Sequence, residues 1–178
     1  MTHPARWVAL AVGVVVAALA VVLATQVGTD PRADAQTSHL LGKAAPTFSV
    51  RTFDGQTVSS QSLAGKTVLV NFWNSWCSPC QQELPALRDF AQRHASDPNV
   101  VLLGIVRDDT TDAARTYAAA EGMSWPLAND SGSSLSVAFG TRGQPETYAI
   151  SPGGMISGFQ FGPMSVRDLE VLLVAAQR

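Results

Sequence analysis

Charge is scarce in this sequence. Of its 178 residues only 15% are Asp, Glu, Lys or Arg, against roughly 25% in ordinary soluble chains. The net charge of −2 leaves no basic surplus, which argues against a dedicated nucleic-acid binder. Cysteine is scarcer still. Two cysteines cannot build a disulfide-dense scaffold or a four-cysteine zinc site. The three histidines, His3, His39 and His94, are too scattered to complete a metal site with them. No internal repeat or low-complexity tract appears. Apolar residues, by contrast, make up 46% of the chain, and their placement is uneven.

Residues 7–27 carry no charge, and only Gly13, Thr25 and Gln26 interrupt the apolar run. At 1.5 Å per residue such a helix spans roughly 30 Å, the thickness of a bilayer core. A buried core helix fits poorly, because few soluble helices are apolar on every face. A cleaved signal peptide is a second reading, since Ala33-Asp34-Ala35 has the A-x-A pattern. The run is longer than a signal h-region, however, and the motif lies well beyond its end. A retained single-pass anchor fits best. No cysteine follows the run, which excludes lipidation at a mature amino-terminal cysteine. Arg6 precedes the run and Asp30, Arg32 and Asp34 follow it, a weak bias toward a cytoplasmic amino terminus. The expected division is 1–6 cytoplasmic, 7–27 transmembrane, 28–41 linker and 42–178 one extracytoplasmic domain.

That domain alternates strand-like and helix-like stretches. Residues 47–51 and 57–59 flank Asp54-Gly55, a hairpin signal. Residues 67–73 and 100–106 are nearly continuous apolar runs, the pattern of strands buried on both faces. Residues 78–94 are expected to be helical, with Leu84, Leu87, Phe90 and Ala91 inward and Pro85 kinking the helix. A second helix over 110–121 ends at Gly122, a C-cap residue. A short helix covers 133–139. Strands 147–151 and 155–160 flank Pro152-Gly153-Gly154, and an amphipathic helix over 165–177 turns Val166, Leu169, Leu172 and Leu173 inward. This order implies an α/β fold with a central mixed sheet flanked by helices.

Both cysteines lie in Trp76-Cys77-Ser78-Pro79-Cys80, after a buried strand and at a helix start. N-terminal N–H groups and the helix dipole stabilise an anion. A thiolate there has its pKa lowered from ~8.5 into a range of roughly 3.5–7.5. Cys77 is expected at the exposed end as the attacking thiolate. Cys80, one turn deeper, is the resolving thiol. Their i, i+3 spacing puts both sulfurs on one face, close enough to bridge. Half a zinc site would need ligands that are not nearby, and an inert disulfide gains little from closing so small a loop. A peroxidatic cysteine normally has Thr and Pro upstream, where this chain has Asn71-Phe72-Trp73-Asn74-Ser75-Trp76.

Glu83 falls on the same helical face as Cys80. It either exchanges a proton with Cys80 or is an exposed acid favoured by the helix dipole. Asn71 is either a hydrogen-bonded core amide or part of a proton pathway beneath the sulfurs. Trp73 and Trp76 fit walls of the site. Gly143-Gln144-Pro145-Glu146-Thr147 opens a strand. One way to place a proline there is a cis peptide, which would offer the Gln144 backbone to a passing peptide.

Taken in order, Gly42-Lys43-Ala44-Ala45-Pro46-Thr47-Phe48, the 68–76 strand running into the Cys-x-x-Cys, Glu83, Pro85, Asp130 with Gly132, and Gly-x-Pro-Glu-Thr over 143–147 resemble the thioredoxin-like superfamily. The resemblance is to its extracytoplasmic TlpA/ResA and CcmG/DsbE branch and covers about 42–178. Pro-Glu-Thr and the amino-terminal segment favour the cytochrome c maturation type. The resemblance implies a thioredoxin-like fold in which Pro145 is a cis-proline facing Cys77 and Cys80. Glu146 would line the same surface, and Glu83 would be the acid near the thiols. Asn71 stands where general thioredoxins carry a buried Asp, which shifts weight onto Glu83. Gln144 is more polar than the residue commonly found before this proline.

The combined expectation is a membrane-anchored thiol:disulfide oxidoreductase with no cofactor beyond Cys77–Cys80 and no metal. Cys77, Cys80 and Glu83 would be catalytic, and Trp76, Gln144, Pro145 and Glu146 would bind substrate. Its partners would be protein thiols and disulfides, apocytochrome c among them, with a membrane thiol reductase as electron donor. It would bind no nucleic acid and act as a monomer. Alternatives are an oxidant of the DsbE kind that forms disulfides in secreted proteins, a non-catalytic peptide-binding module, and a peroxidase.

Overall fold

The computed structural model describes residues 4–26 and 36–178, which fall in two compact units. The first holds helix α1 (Pro4–Gln26). Residues 6–23 are exposed all round. This stretch, Arg6–Leu23, is long and apolar enough to cross a membrane. Val27, most of the expected linker (28–35) and the Ala33-Asp34-Ala35 motif lie outside the described residues.

The second unit is an α/β sandwich. Hairpin β1 (Ser49–Arg51) and β2 (Thr57–Ser59) precedes β3 (Thr67–Trp73), helix α2 (Ser78–Arg93) and β4 (Val100–Val106). Helix α3 (Thr111–Ala120), β5 (Leu127–Asn129) and the short α4 (Ser134–Phe139) follow, then β6 (Glu146–Ile150), β7 (Ile156–Phe161) and α5 (Val166–Ala176). The main sheet has the order β5-β4-β3-β6-β7. Strands β3, β4 and β5 run parallel, and β6 and β7 are antiparallel to their neighbours.

Every residue of β3 is buried, as its unbroken apolar run predicts. Val68, Val70 and Phe72 face one layer with Leu103, Ile105, Phe139 and Tyr148. Leu69 and Trp73 face the other, with residues of α2, α3 and α5. Packing is therefore two-sided, and the sheet is the shared wall of both cores. Gly104 on β4 makes one close approach possible. A Cβ there would sit 2.5 Å from Leu127 Cδ2 and 3.0 Å from Trp73 Nε1. Only a glycine lets these side chains lie against the strand.

Strand β5 is the one element missing from the expected order. It is three residues long, too short to show a period. Its pairing comes from β4, through Gly104↔Leu127 to Val106↔Asn129. Helix α2 runs unbroken through Pro85. Val166 is half-buried rather than fully inward. Gly122 follows the α3 cap with φ 63°, as expected of a residue that ends a helix. Asp130 accepts from Leu135 N and Ser136 N and so starts α4.

Both outer edges of the sheet are partly covered. Thr52 bridges Ala128, and Phe53 N donates to Leu127 O on β5. On β7, Ile156 exchanges hydrogen bonds with Gly42 and Lys43. The Gln36 side-chain amide donates to Phe161 O and accepts from Phe161 N.

Candidate active site

Strand β3 ends at Trp73, and three residues later the chain enters α2 with Cys77 as N-cap. Cys77 Sγ accepts from Cys80 N at 3.1 Å, and Gln81 N bonds to Cys77 O at 3.0 Å. Cys77 therefore does for α2 what a serine cap does for other helices. The same N–H groups are in place to stabilise a Cys77 thiolate. In this structure the two sulfurs form a disulfide, with Cα atoms 5.2 Å apart. Cys77 is only 5% exposed and Cys80 7%, so Cys77 is less open than the sequence suggests. The exposed rim is Trp76, Ser78 and Pro79.

The rim is fixed to the loop that follows β4. Trp76 is 62% exposed, and its Nε1 donates to Asp108 O. Asp109 Oδ2 accepts from both the backbone N–H and the hydroxyl of Ser75. Arg107 N donates to Trp73 O, and Asn74 Nδ2 to Arg107 O. Nothing in the sequence marks Asp109 for this task; an acid just past a buried strand is the only signal.

Opposite Cys77 lies the start of β6. The Gln144–Pro145 peptide is cis. The Gln144 carbonyl oxygen is 3.6 Å from Cys77 Sγ. An oxidised sulfur carries no proton, so this is a contact, and a reduced thiol could donate across it. Pro145 is buried and Gln144 half-buried.

Glu146 differs from its expected place on the substrate-facing surface. It is 0% exposed. Strand alternation turns it beneath the loop, on the layer that holds Tyr148. Its Oε1 accepts from Arg142 N at 2.8 Å and Gly143 N at 3.1 Å. Its Oε2 lies 3.1 Å from the Tyr148 hydroxyl, which also donates to Phe139 O. This carboxylate clasps the turn that presents Gln144.

Glu83 is also buried, at 1% exposure, so it is not a solvent-exposed acid. Its Oε1 accepts from Asn71 Nδ2 at 3.1 Å, and the same nitrogen donates to Thr147 Oγ1 at 2.9 Å. Thr147 escapes a sequence reading, because a threonine inside a strand is ordinary. Among the described residues Glu83 Oε2 has no protein partner, and neither do Asn71 Oδ1, Asn74 Oδ1 and Trp73 Nε1. These four residues and Cys80 line one small cavity with Tyr117 and Met123. About 10 Å³ is open to a water's centre, close to the ~10–15 Å³ that one water needs. Burial pushes the Glu83 carboxyl up to about 8, because the charged form loses its hydration.

The structure thus brings Cys77, Cys80, Glu83, Gln144 and Pro145 into one neighbourhood with Trp76 on the rim, and puts Glu146 underneath instead of on the expected surface. Among the described residues no group of three or more His, Cys, Asp or Glu side chains could hold a metal.

Residues 41–158 match the model of the AhpC/TSA family. The chain is 30% identical over 130 residues to the thioredoxin-like protein YneN of Bacillus subtilis (strain 168), covering 72% of this chain and 76% of YneN. Thiol-disulfide oxidoreductase ResA of Bacillus thuringiensis (strain Al Hakam) is 28% identical over 130 residues, with 73% and 75% of the two chains covered. A thiol:disulfide interchange protein of the thioredoxin family from Chlorobium tepidum TLS has a similar structure. It superposes with a TM-score of 0.68 at 31% identity, over 75% of this chain and 94% of that one. The thioredoxin-like architecture read from the sequence is the one found.

Proposed function

Because the chain belongs to the AhpC/TSA family and is a thiol:disulfide oxidoreductase of the ResA type, we propose that it reduces protein disulfides outside the cytoplasm through Cys77 and Cys80. The Cys77 thiolate attacks one sulfur of the substrate disulfide. A mixed disulfide forms, and the first substrate thiolate leaves and takes a proton from solvent. Cys80 then gives its proton to Glu83 and attacks Cys77 Sγ. The second substrate thiolate is released and protonated. Two electrons pass to the substrate, and the protein is left as the disulfide described above.

Glu83 suits this task. Its carboxyl, at about 8, is poised near neutral operating pH, as a proton-exchanging group should be. Gln144 and Pro145 offer backbone to an extended substrate strand, and Trp76 supplies an apolar rim beside Cys77. Glu146 contributes by holding the turn, from below.

The observation that carries the direction is electrostatic. Among the described residues no Lys, Arg or His lines the cavity under Cys80, and the group that meets Cys77 across the site is an oxygen acceptor, Gln144 O. The stabilisation of a thiolate then rests on the helix N-terminus. A reduced form with little stabilisation makes a pair that gives up electrons readily, the opposite of a strong oxidant.

The resemblance to the cytochrome c maturation type points to apocytochrome c as substrate, with a membrane thiol reductase restoring the dithiol. Residues 7–27 are the proposed anchor, 1–6 its cytoplasmic end, 28–41 the linker and 42–178 the catalytic domain. The domain would act as a monomer. A Cys80→Ala variant expressed in its native envelope tests this reading, because it cannot resolve the mixed disulfide. An apocytochrome held on Cys77 supports it. A broad set of secreted proteins, with the wild-type pair mostly oxidised, would favour an oxidant instead, and no adduct at all would refute both.

A further inference from the structure

Glu83 has two oxygens in different surroundings, and one amide makes the difference. The geometry points to Asn71 as the residue that divides their tasks: it holds Oε1 as a fixed acceptor, so the transferable proton is carried on Oε2. This rests on the proposed role of Glu83 and adds a positioning residue to it.

Asn71 Nδ2 has two N–H groups, and both are used. One goes to Glu83 Oε1 at 3.1 Å and the other to Thr147 Oγ1 at 2.9 Å. Asn71 is 1% exposed, so no solvent competes for them. Turning the amide over would leave both N–H groups buried without these acceptors. The present orientation leaves only Oδ1 without a protein partner. A single orphan acceptor costs less than two orphan donors. An oxygen already accepting from an N–H is a poor place for a proton. Oε2 has no such donor, and Glu83 shares the one-water cavity with Cys80. Oε2 is therefore the oxygen that takes the proton of the resolving cysteine, directly or through one water.

Thr147 extends the arrangement. It is the second residue after Pro145, on the strand that begins at the cis peptide. The amide thus ties the acid to the segment proposed to receive substrate. Other groups near Glu83 do not confuse its titration. Cys80 on the same helix and Tyr117 on α3 are the other titratable side chains on the cavity wall. Strand β3 presents the neutral Asn71 and Trp73, and α5 packs into this core through Leu169, Leu172 and Leu173. On β6, Thr147 faces Asn71, while Glu146 bonds to the turn and to Tyr148.

Carbon-13 NMR of the Glu carboxyl groups tests the assignment in the full chain held in detergent. The protein is kept oxidised, so neither cysteine titrates. The chain has four glutamates, Glu83, Glu121, Glu146 and Glu170, and Glu83→Gln identifies the Glu83 signal by its loss. A donated N–H favours the carboxylate, so Asn71→Leu should raise the Glu83 midpoint by about one pH unit. Thr147→Val, which frees the amide without touching Glu83, should raise it by less. It also serves if Asn71→Leu fails to fold. A second readout separates position from packing: Asn71→Leu should alter the pH–rate profile of disulfide exchange in the wild-type background and leave it unaltered in Glu83→Gln. A midpoint that stays put or falls in these variants would overturn the assignment, and so would a profile change that persists without Glu83. The underlying reading fails separately, if Glu83→Gln alone leaves the exchange profile as it was.

Discussion

Glu83 and Glu146 are both buried carboxyls within a few residues of the site, yet their surroundings are opposites. Glu146 accepts from two backbone N–H groups, approaches the Arg142 guanidinium at 3.9 Å and meets the Tyr148 hydroxyl. Glu83 receives one side-chain N–H and has a second oxygen with no protein partner. A carboxylate with partners on both oxygens is a structural clamp, because each oxygen holds something still. An unsaturated one has capacity to spare for a proton. Burial alone does not separate the two residues; the count of donors does.

The comparison is tested first by stability. Glu146→Ala strips the acceptor from two part-buried N–H groups, at about 1–2 kcal/mol each, the lower part of the range for an unsatisfied donor, so denaturant unfolding should show a loss of about 2–4 kcal/mol. Glu83→Gln should cost far less. If the two losses are equal, the contrast is wrong.

Kinetics should reverse the ranking. General acid–base catalysis contributes ~10²–10⁴-fold. Stopped-flow measurement of Cys80 attacking the mixed disulfide should find Glu83→Gln slowed by about a hundredfold at neutral pH. Glu146→Gln keeps an acceptor oxygen for both backbone N–H groups, and should stay within about twofold. A Glu83→Gln protein that resolves at the wild-type rate would remove Glu83 from the mechanism.

A more gradual effect, spread over several pH units, lies in how stability follows pH. The unfolded chain loses the Glu83 proton near 4.5, whereas the folded oxidised protein keeps it to about 8. Between these values the native state holds the extra proton, so stability falls as pH rises, by up to ~1.4 kcal/mol per pH unit. The decline is complete above the folded value. Unfolding curves of the oxidised protein from pH 5 to 9 should show this fall, and Glu83→Gln should flatten it. The smallest change expected is in Trp76→Ala. Its ring is 62% exposed with one hydrogen bond to Asp108 O, so unfolding should move by no more than about 1 kcal/mol.

Sequence legibility follows the same division between what is local and what is not. The buried strands announce themselves, because Thr67–Trp73 and Val100–Val106 need apolar residues on both faces. Cys77 and Cys80 carry their chemistry in spacing and position alone. Glu83 could be placed on the face of Cys80 by helical period, but not its burial, which depends on Asn71 and Tyr117 arriving from other elements. Glu146 sits beside Pro145 in the sequence, and that nearness misleads. In a strand, adjacent side chains point to opposite faces, so the neighbour of a proline on the cysteine side is aimed at the opposite layer. Thr147 and Asp109 have partners 76 and 34 residues away, and no local pattern reports them. Strand β5 exists because β4 offers it a ladder.

On the proposed reading, in which the substrate is a chain not yet folded, the sheet edges become a hazard. Unfolded segments add readily to any open strand edge. Here Thr52 and Phe53 occupy part of β5, while Gly42, Lys43 and the Gln36 amide occupy the two ends of β7. The sheet's hydrogen-bonding capacity is thus partly taken up along its flanks. A client strand is left with backbone on offer at Gln144, where a sulfur waits beside it. On that reading the partial cover works as a sorting device, favouring capture beside Cys77, where chemistry follows.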